Sequence, residues 1–238
     1  MRDLSQVWVY LAASPLLHLT LTLIAYQAGA WLHARSGNNP LINPVLIAVL
    51  ALVAILVATG TSYQSYFEGA QFVHFLLGPA TVALAIPLYR QFSHVRKSAL
   101  AILASIIAGS LTAAGSAVAI AWLMGAQTSA IISLAPKSVT APVAMGISQQ
   151  LGGLPSLTAA LVILTGITGA MLGPLVLNLM KIGDWQARGL ALGTASHGIG
   201  TARALQVNEV AGAFSGLAMG LNALATAILL PLLWRLFP

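Results

Sequence analysis

Cysteine is absent from the 238 residues, which excludes disulfides, iron–sulfur clusters and thiol catalysis. Acidic residues are almost as scarce: Asp3, Glu68, Asp184 and Glu209 are the whole set. Charged residues together make up 6% of the chain, against roughly 25% in a soluble domain. So few charges cannot cover a water-facing surface, which excludes soluble interaction modules. The formal net charge of +6 does not point to nucleic acid either, because the cations are scattered through short loops, where they orient a chain in a membrane.

What the chain has instead is apolar length. It is 58% hydrophobic, with a mean hydropathy of +0.91. The interiors of Leu41–Thr59 and Ser98–Gly125 carry no charge and reach the ~20 residues that span ~30 Å of hydrocarbon. The chain reads as an all-α polytopic integral membrane protein with the lipid bilayer as its solvent. About eight hydrophobic segments lie near Val7–Ala30, Leu41–Thr59, Ala70–Leu88, Ser98–Met124, Ser129–Ile147, Leu154–Met180, Gly189–Leu205 and Val210–Phe237. Val7–Ala30 ends in a signal-peptidase-like Ala28-Gly29-Ala30 but is too long for a usual h-region, so it reads as the first span. A single membrane domain over 1–238 is the simplest organisation, with a first span and loop (1–40), a first half (41–125) and a motif-rich second half (126–238).

Three segments carry helix breakers at membrane depth. The third contains Gly78, Pro79 and Thr81, the fifth contains Pro136 and Pro142, and the seventh contains Gly198 and Gly200. Proline removes an amide donor and glycine weakens a helix, and backbone freed in this way is tolerated only inside protein or beside a wet cavity. The basic loops Arg90–Lys97 and Lys181–Arg188 both favour the cytoplasm, yet three segments lie between them. The conflict disappears if the fifth is a re-entrant hairpin. An offset of 57 aligns Pro79 with Pro136, Thr81 with Ser138 and Val82 with Val139, a faint repeat that competes with chance similarity among Ala-rich segments. One hairpin plus one crossing per copy would make successive copies inverted.

Lys137 and Arg203 are the cations inside apolar segments. A charge at the centre of a spanning helix costs at least ~2.5–3.5 kcal/mol, so each asks for a partner or a function, although Arg203 can also snorkel to an interface. No carboxylate lies deep enough to pair with Lys137, which suits a small organic anion such as a carboxylate. Histidine is the side chain whose ordinary titration lies near neutrality, so His197 is a candidate carrier of a coupled proton; a neutral ring bonded to a nearby carbonyl fits the sequence equally well. The hydroxyls of Ser138, Thr140, Thr194, Ser196 and Thr201 are candidates for substrate or sodium binding, with helix back-bonding as the alternative. Coupling would use H+ or Na+, with no other cofactor and no metal centre. His33 and His94 are expected in loops and solvated, and Asn222 is expected to bond another helix. No enzyme signature survives its context.

From about Ala135 to Leu230 the chain resembles the LrgB/CidB family. The resemblance rests on the runs Pro136–Ala144, Gly152–Ala159, Arg188–Ala202 and Gly212–Asn222, and more loosely on Tyr66–Ala70 and Leu77–Ala85. It implies two functional traditions. In one, such proteins partner a small LrgA/CidA-like membrane protein and modulate murein hydrolases and lysis, as pore or partner subunit. In the other, relatives move small monocarboxylates, including pyruvate in bacteria and glycolate and glycerate in the plastid family. The resulting expectation is an alternating-access carrier in the bacterial cytoplasmic (inner) membrane, assembled as a homo-oligomer, with the holin-associated role as the alternative.

Overall fold

The computed structural model describes residues 15–76, 79, 82–83 and 85–235, and every regular element among them is helical. The chain divides into two compact units, Met1–Ala83 and Leu84–Pro238. Gly78 and Thr81 lie outside the described residues, as does the start of the first apolar segment, and Pro79 is exposed.

The first unit holds α1 (Pro15–Arg35), α2 (Pro44–Thr59) and α3 (Tyr63–Phe75). Asn43 starts α2: its side chain accepts from the amides of Val45 and Leu46 at 2.9 and 3.2 Å. Pro44 follows in the first turn, where a missing N–H costs nothing. The α1–α2 contact is so close at Gly29 that a Cβ there would stand 2.6 Å from the Pro44 carbonyl oxygen. Nearer the start of α1, the Tyr66 hydroxyl lies 2.9 Å from Thr22 Oγ1 and its ring meets His18 edge-on. His33 is not a solvated loop residue as its sequence position implied. It falls in the last turn of α1, 7% exposed, with Nδ1 2.8 Å from the Ile42 carbonyl, because the chain turns straight back over it into α2.

The second unit runs α4 (Ala85–Arg90), α5 (Phe92–Lys97), α6 (Ala99–Leu123), α7 (Thr128–Leu134), α8 (Ala141–Leu151), α9 (Pro155–Leu179), α10 (Trp185–Val207) and α11 (Glu209–Trp234). Three of these, α6, α9 and α11, are long and apolar enough to cross a membrane. At 25, 25 and 26 residues they measure about 37–39 Å by helical rise. Helices α6 and α11 run parallel: Ile102 and Ile106 pack on Phe214 and Ala218, and further along Ser110 Oγ is 3.0 Å from Thr226 Oγ1.

Between the long helices the chain doubles back twice. Helices α7 and α8 are 7 and 11 residues long, roughly 10 and 16 Å, too short to span hydrocarbon separately. They form a hairpin, because the end of α8 returns to the end of α7: the Leu154 amide donates to Ser133 Oγ at 2.8 Å, and a Cβ on Gly153 would stand 2.9 Å from Ile132 Cγ2. Helix α9 then packs antiparallel to α8, with Thr158 Oγ1 donating to Ser148 Oγ at 2.7 Å and Val162 against Ala144.

Helix α10 is the second hairpin, although its residues are continuously helical by hydrogen bonding. His197, at φ 42° and ψ −134°, breaks it in the middle. Leu192 clusters with Ala204, a separation of twelve residues that would be about 18 Å in a straight helix. The directions confirm the reversal. Gly189 and Gly193 abut the backbone of Ala211 and Ser215, so the first arm runs parallel to α11. Thr201 meets Ser215 and Leu205 meets Gly212, so the second arm runs antiparallel to it. The segment expected at Gly189–Leu205 is therefore two short arms and not a span.

Each hairpin begins and ends at one level of the bundle. Single cysteines placed at the exposed Gln127 and Gln150 in the cysteine-free chain should react with a membrane-impermeant maleimide from the same side. Labelling from opposite sides would rule out the α7–α8 reversal in the membrane.

Candidate functional site

The two hairpin tips meet against the middles of α6, α9 and α11. At the first tip, residues 135–140 are a run of turns because Pro136 and Pro142 deny the helix two amides. Pro142 stands four residues after Ser138, so the Ser138 carbonyl has no helical donor. Asn222, at the middle of α11, supplies one: its Nδ2 donates to Ser138 O at 3.3 Å and to Thr194 O, one turn before the second tip, at 3.0 Å. One buried amide thus joins both tips. Its Oδ1 accepts from no side chain or backbone donor among the described residues.

Lys137 projects from the first tip towards α6. Its Nζ donates to Ala113 O at 3.3 Å and Ser138 Oγ at 3.4 Å. Charge-assisted bonds usually measure about 2.7–2.9 Å, so both contacts are long for a charged donor. Neither acid of this unit reaches it: Asp184 caps α10 by accepting from the Ala187 amide, and Glu209 pairs with Arg90 at 2.9 Å. Thr194 packs on α6 one turn away, its Cγ2 3.0 Å from where a Cβ of Gly109 would be.

The second tip is seated on α9 by a row of glycines. Cβ atoms at Gly166, Gly169 and Gly173 would run into His197, Ser196 and Leu192 respectively, so only hydrogen at these positions lets the first arm approach. His197 Nε2 lies 2.9 Å from Val162 O. A carbonyl only accepts, so Nε2 carries the proton and donates. This ring fastens the tip to α9. Thr201 Oγ1 donates to the His197 carbonyl at 2.9 Å and lies 3.0 Å from Ser215 Oγ, closing the turn. Ser196 Oγ is buried without a hydrogen-bond partner among the described residues.

The structure therefore gathers Lys137, Ser138, Ser196, His197 and Thr201 at the two tips. Thr140 is the residue before α8, its carbonyl accepting from the Ala144 amide at 2.9 Å. Pro136, Pro142, Gly198 and Gly200 are part of the breaks. Arg203 lies apart, six residues along the returning arm and about 9 Å from the break by helical rise. Asn222 bonds another helix, as its sequence position implied, through the Thr194 carbonyl; sequence reasoning missed Ser215 and the glycine row. The spacing Gly166, Gly169, Gly173 was the available signal, since it places three small residues on one helix face.

Both tips also expose helix ends. Helix α8 and the second arm of α10 start there, and their amides carry the positive ends of two dipoles. The ends of α7 and the first arm bring carbonyls to the same level.

The LrgB-like family model matches residues 22–236. Among relatives, the uncharacterized protein YwbG of Bacillus subtilis is 38% identical over 215 residues, covering 90% of this chain and 95% of the relative. The holin-like protein CidB of Staphylococcus epidermidis is 35% identical over 221 residues, 93% of this chain and 96% of the relative. Its namesake in Staphylococcus aureus is 34% identical over 222 residues, with coverage of 93% and 96%. No solved structure matches.

Replacing Asn222 with leucine keeps the branched shape of the side chain but removes the donor shared by two buried carbonyls. Unsatisfied buried groups cost about 1–3 kcal/mol, and each kcal/mol lowers Tm by roughly 2–4 °C in a chain of this size. Thermal unfolding of Asn222→Leu in detergent should show that loss; an unchanged Tm would mean the tips are held together by other contacts.

Proposed function

This chain belongs to the LrgB-like family, and from that premise we propose that it carries a small monocarboxylate of the pyruvate, glycolate, glycerate or lactate class across the bacterial cytoplasmic membrane by alternating access. The observation that carries the reading is Lys137, a cation with no acidic partner among the described residues, held at a hairpin tip against the middle of a membrane-length helix. The positive ends of α8 and the second arm of α10 converge on the same level. An anion entering there would meet one full charge and two half-charges, with Ser138, Thr140, Ser196 and Thr201 as hydroxyls to orient it. Arg203, on the returning arm, would draw the anion in from the rim.

Topology supports the same reading. The unit α7–α8–α9 is a hairpin followed by a long helix, and α10–α11 repeats that plan. Each unit crosses once, so the second is inverted and its hairpin enters from the opposite face. Opposed broken elements meeting at the midplane are a recurrent carrier design. Two crossings and one hairpin also return Lys181 and Arg188 to the face of Arg90, Arg96 and Lys97, satisfying the positive-inside bias. The Arg90–Glu209 pair agrees with that arrangement.

The relatives named holin-like favour a second reading, in which the chain assembles with itself or with an LrgA/CidA-like subunit and modulates murein hydrolases. The two readings separate in proteoliposomes. A carrier gives saturable uptake of labelled pyruvate, glycolate or lactate that falls at least about tenfold in Lys137→Ala, the scale of a lost buried charge contact, and is partly restored in Lys137→Arg. Leakage of large dyes that ignores the Lys137 substitution would overturn the carrier and favour the pore. His197 as carrier of a coupled proton is tested in the same assay: concentrative uptake undiminished without a proton gradient removes that role.

A further inference from the structure

We infer that Asn222, with the carbonyls of Ser138 and Thr194, forms a site for a sodium ion at the junction of the two hairpin tips. The inference rests on the carrier reading for its purpose but not for its chemistry. Two carbonyl oxygens converge in a buried place: Ser138 O, left without its helical donor by Pro142, and Thr194 O, at the end of the first arm of α10. The Asn222 amide that joins them through its NH2 carries a third oxygen, Oδ1, on its other terminal atom. The Asn222 side chain is 1% exposed, and Oδ1 has no partner among the described residues. An acceptor kept dry and unmet is unfavourable unless something with positive charge or a proton visits it.

The amide group itself marks the position. Its NH2 sits between the two carbonyls at 3.0 and 3.3 Å, bringing positive hydrogens where a cation would go. Turning the amide by half a revolution exchanges NH2 for Oδ1, which then stands beside both carbonyls. That arrangement repels unless a cation neutralises it. Oxygens bind a cation of calcium-like radius at roughly 2.3–2.6 Å, which sets neighbouring ligands roughly 3.3–3.7 Å apart. The two distances around Nδ2 need only a slight expansion to match.

Charge selects the ion. No acid among the described residues lies at the junction, so a divalent ion would be left without counter-charge. Lys137, bonded to the Ser138 hydroxyl, adds repulsion that an anion on Lys137 would relieve. Sodium and anion would therefore favour each other's binding. The ion would replace the asparagine hydrogens as the link between the tips, so that both hairpins stay joined when loaded.

The test uses full-length protein in detergent without any organic anion, so that its outcome is independent of transport. Thermal stability is measured in rising NaCl, with KCl and choline chloride at matched ionic strength. The expected result is a saturable rise in Tm with sodium alone, absent in Asn222→Ala and retained in Lys137→Ala. Asn222→Asp keeps the oxygen and adds charge, so it should reach half-saturation at about tenfold less sodium, and it serves where the alanine variant does not fold. Equal responses to sodium and choline, or a sodium response unchanged in Asn222→Ala, would overturn the site. Loss of anion flux with an intact sodium response would remove the carrier reading and leave the site standing.

Discussion

In hydrocarbon every backbone amide and carbonyl needs an internal partner, and this requirement governs the second unit. A hairpin that stops halfway through a membrane leaves several such groups at its tip, at the depth where water cannot help. The chain meets the requirement by bringing both tips to one place and serving them from continuous helices. Asn222 of α11 donates to both, Val162 of α9 receives His197, and Ala113 of α6 receives Lys137. Each of these partners lies within a helix that is itself long enough to span.

Close packing makes that service geometrically possible. The arms of α10 touch α9 and α11 through glycines whose missing side chains bring backbones together, at Gly166, Gly169, Gly173, Gly189 and Gly193. Without a hydrophobic drive between apolar helices in lipid, such contact contributes dispersion energy and short hydrogen bonds instead. His197 shows what the arrangement costs: its φ of 42° is rare for a residue with a Cβ and costs on the order of 1–3 kcal/mol. The ring's bond to Val162 and the Thr201 bond to its carbonyl hold it there.

The same features that satisfy the backbone also set the electrostatics at the tips. A helix broken at its middle turns its arms' ends towards each other, so positive and negative dipole ends coincide at one level. Soluble proteins reach similar fields with side-chain charges. Here the described acids stay at element ends or in the first unit, and a single lysine stands at the tip. The field is thus made mostly from backbone, with Lys137 setting its sign.

Much of this was legible in the sequence, and the remainder has a clear reason for having been hidden. Composition determined the helical membrane class, and apolar length located α6, α9 and α11 to within a few residues. Pro136 and Pro142 marked the first break, and a hairpin there was one way to reconcile the two basic loops. Lys137 and His197 stood out because a charge or a ring nitrogen at that depth is costly. Only tertiary structure decided that α10 folds back at His197, since a dihedral angle is not encoded by hydropathy and the arms together have the length of one span. Only tertiary structure gave Asn222 its place, because its two carbonyl partners lie 84 and 28 residues away in the chain. His33, expected in solvent, was buried by a turn that no local pattern reveals. Sequence fixes which groups cannot be left alone in lipid; the fold decides which distant group keeps them company, because that choice depends on distances through space that chain order does not contain.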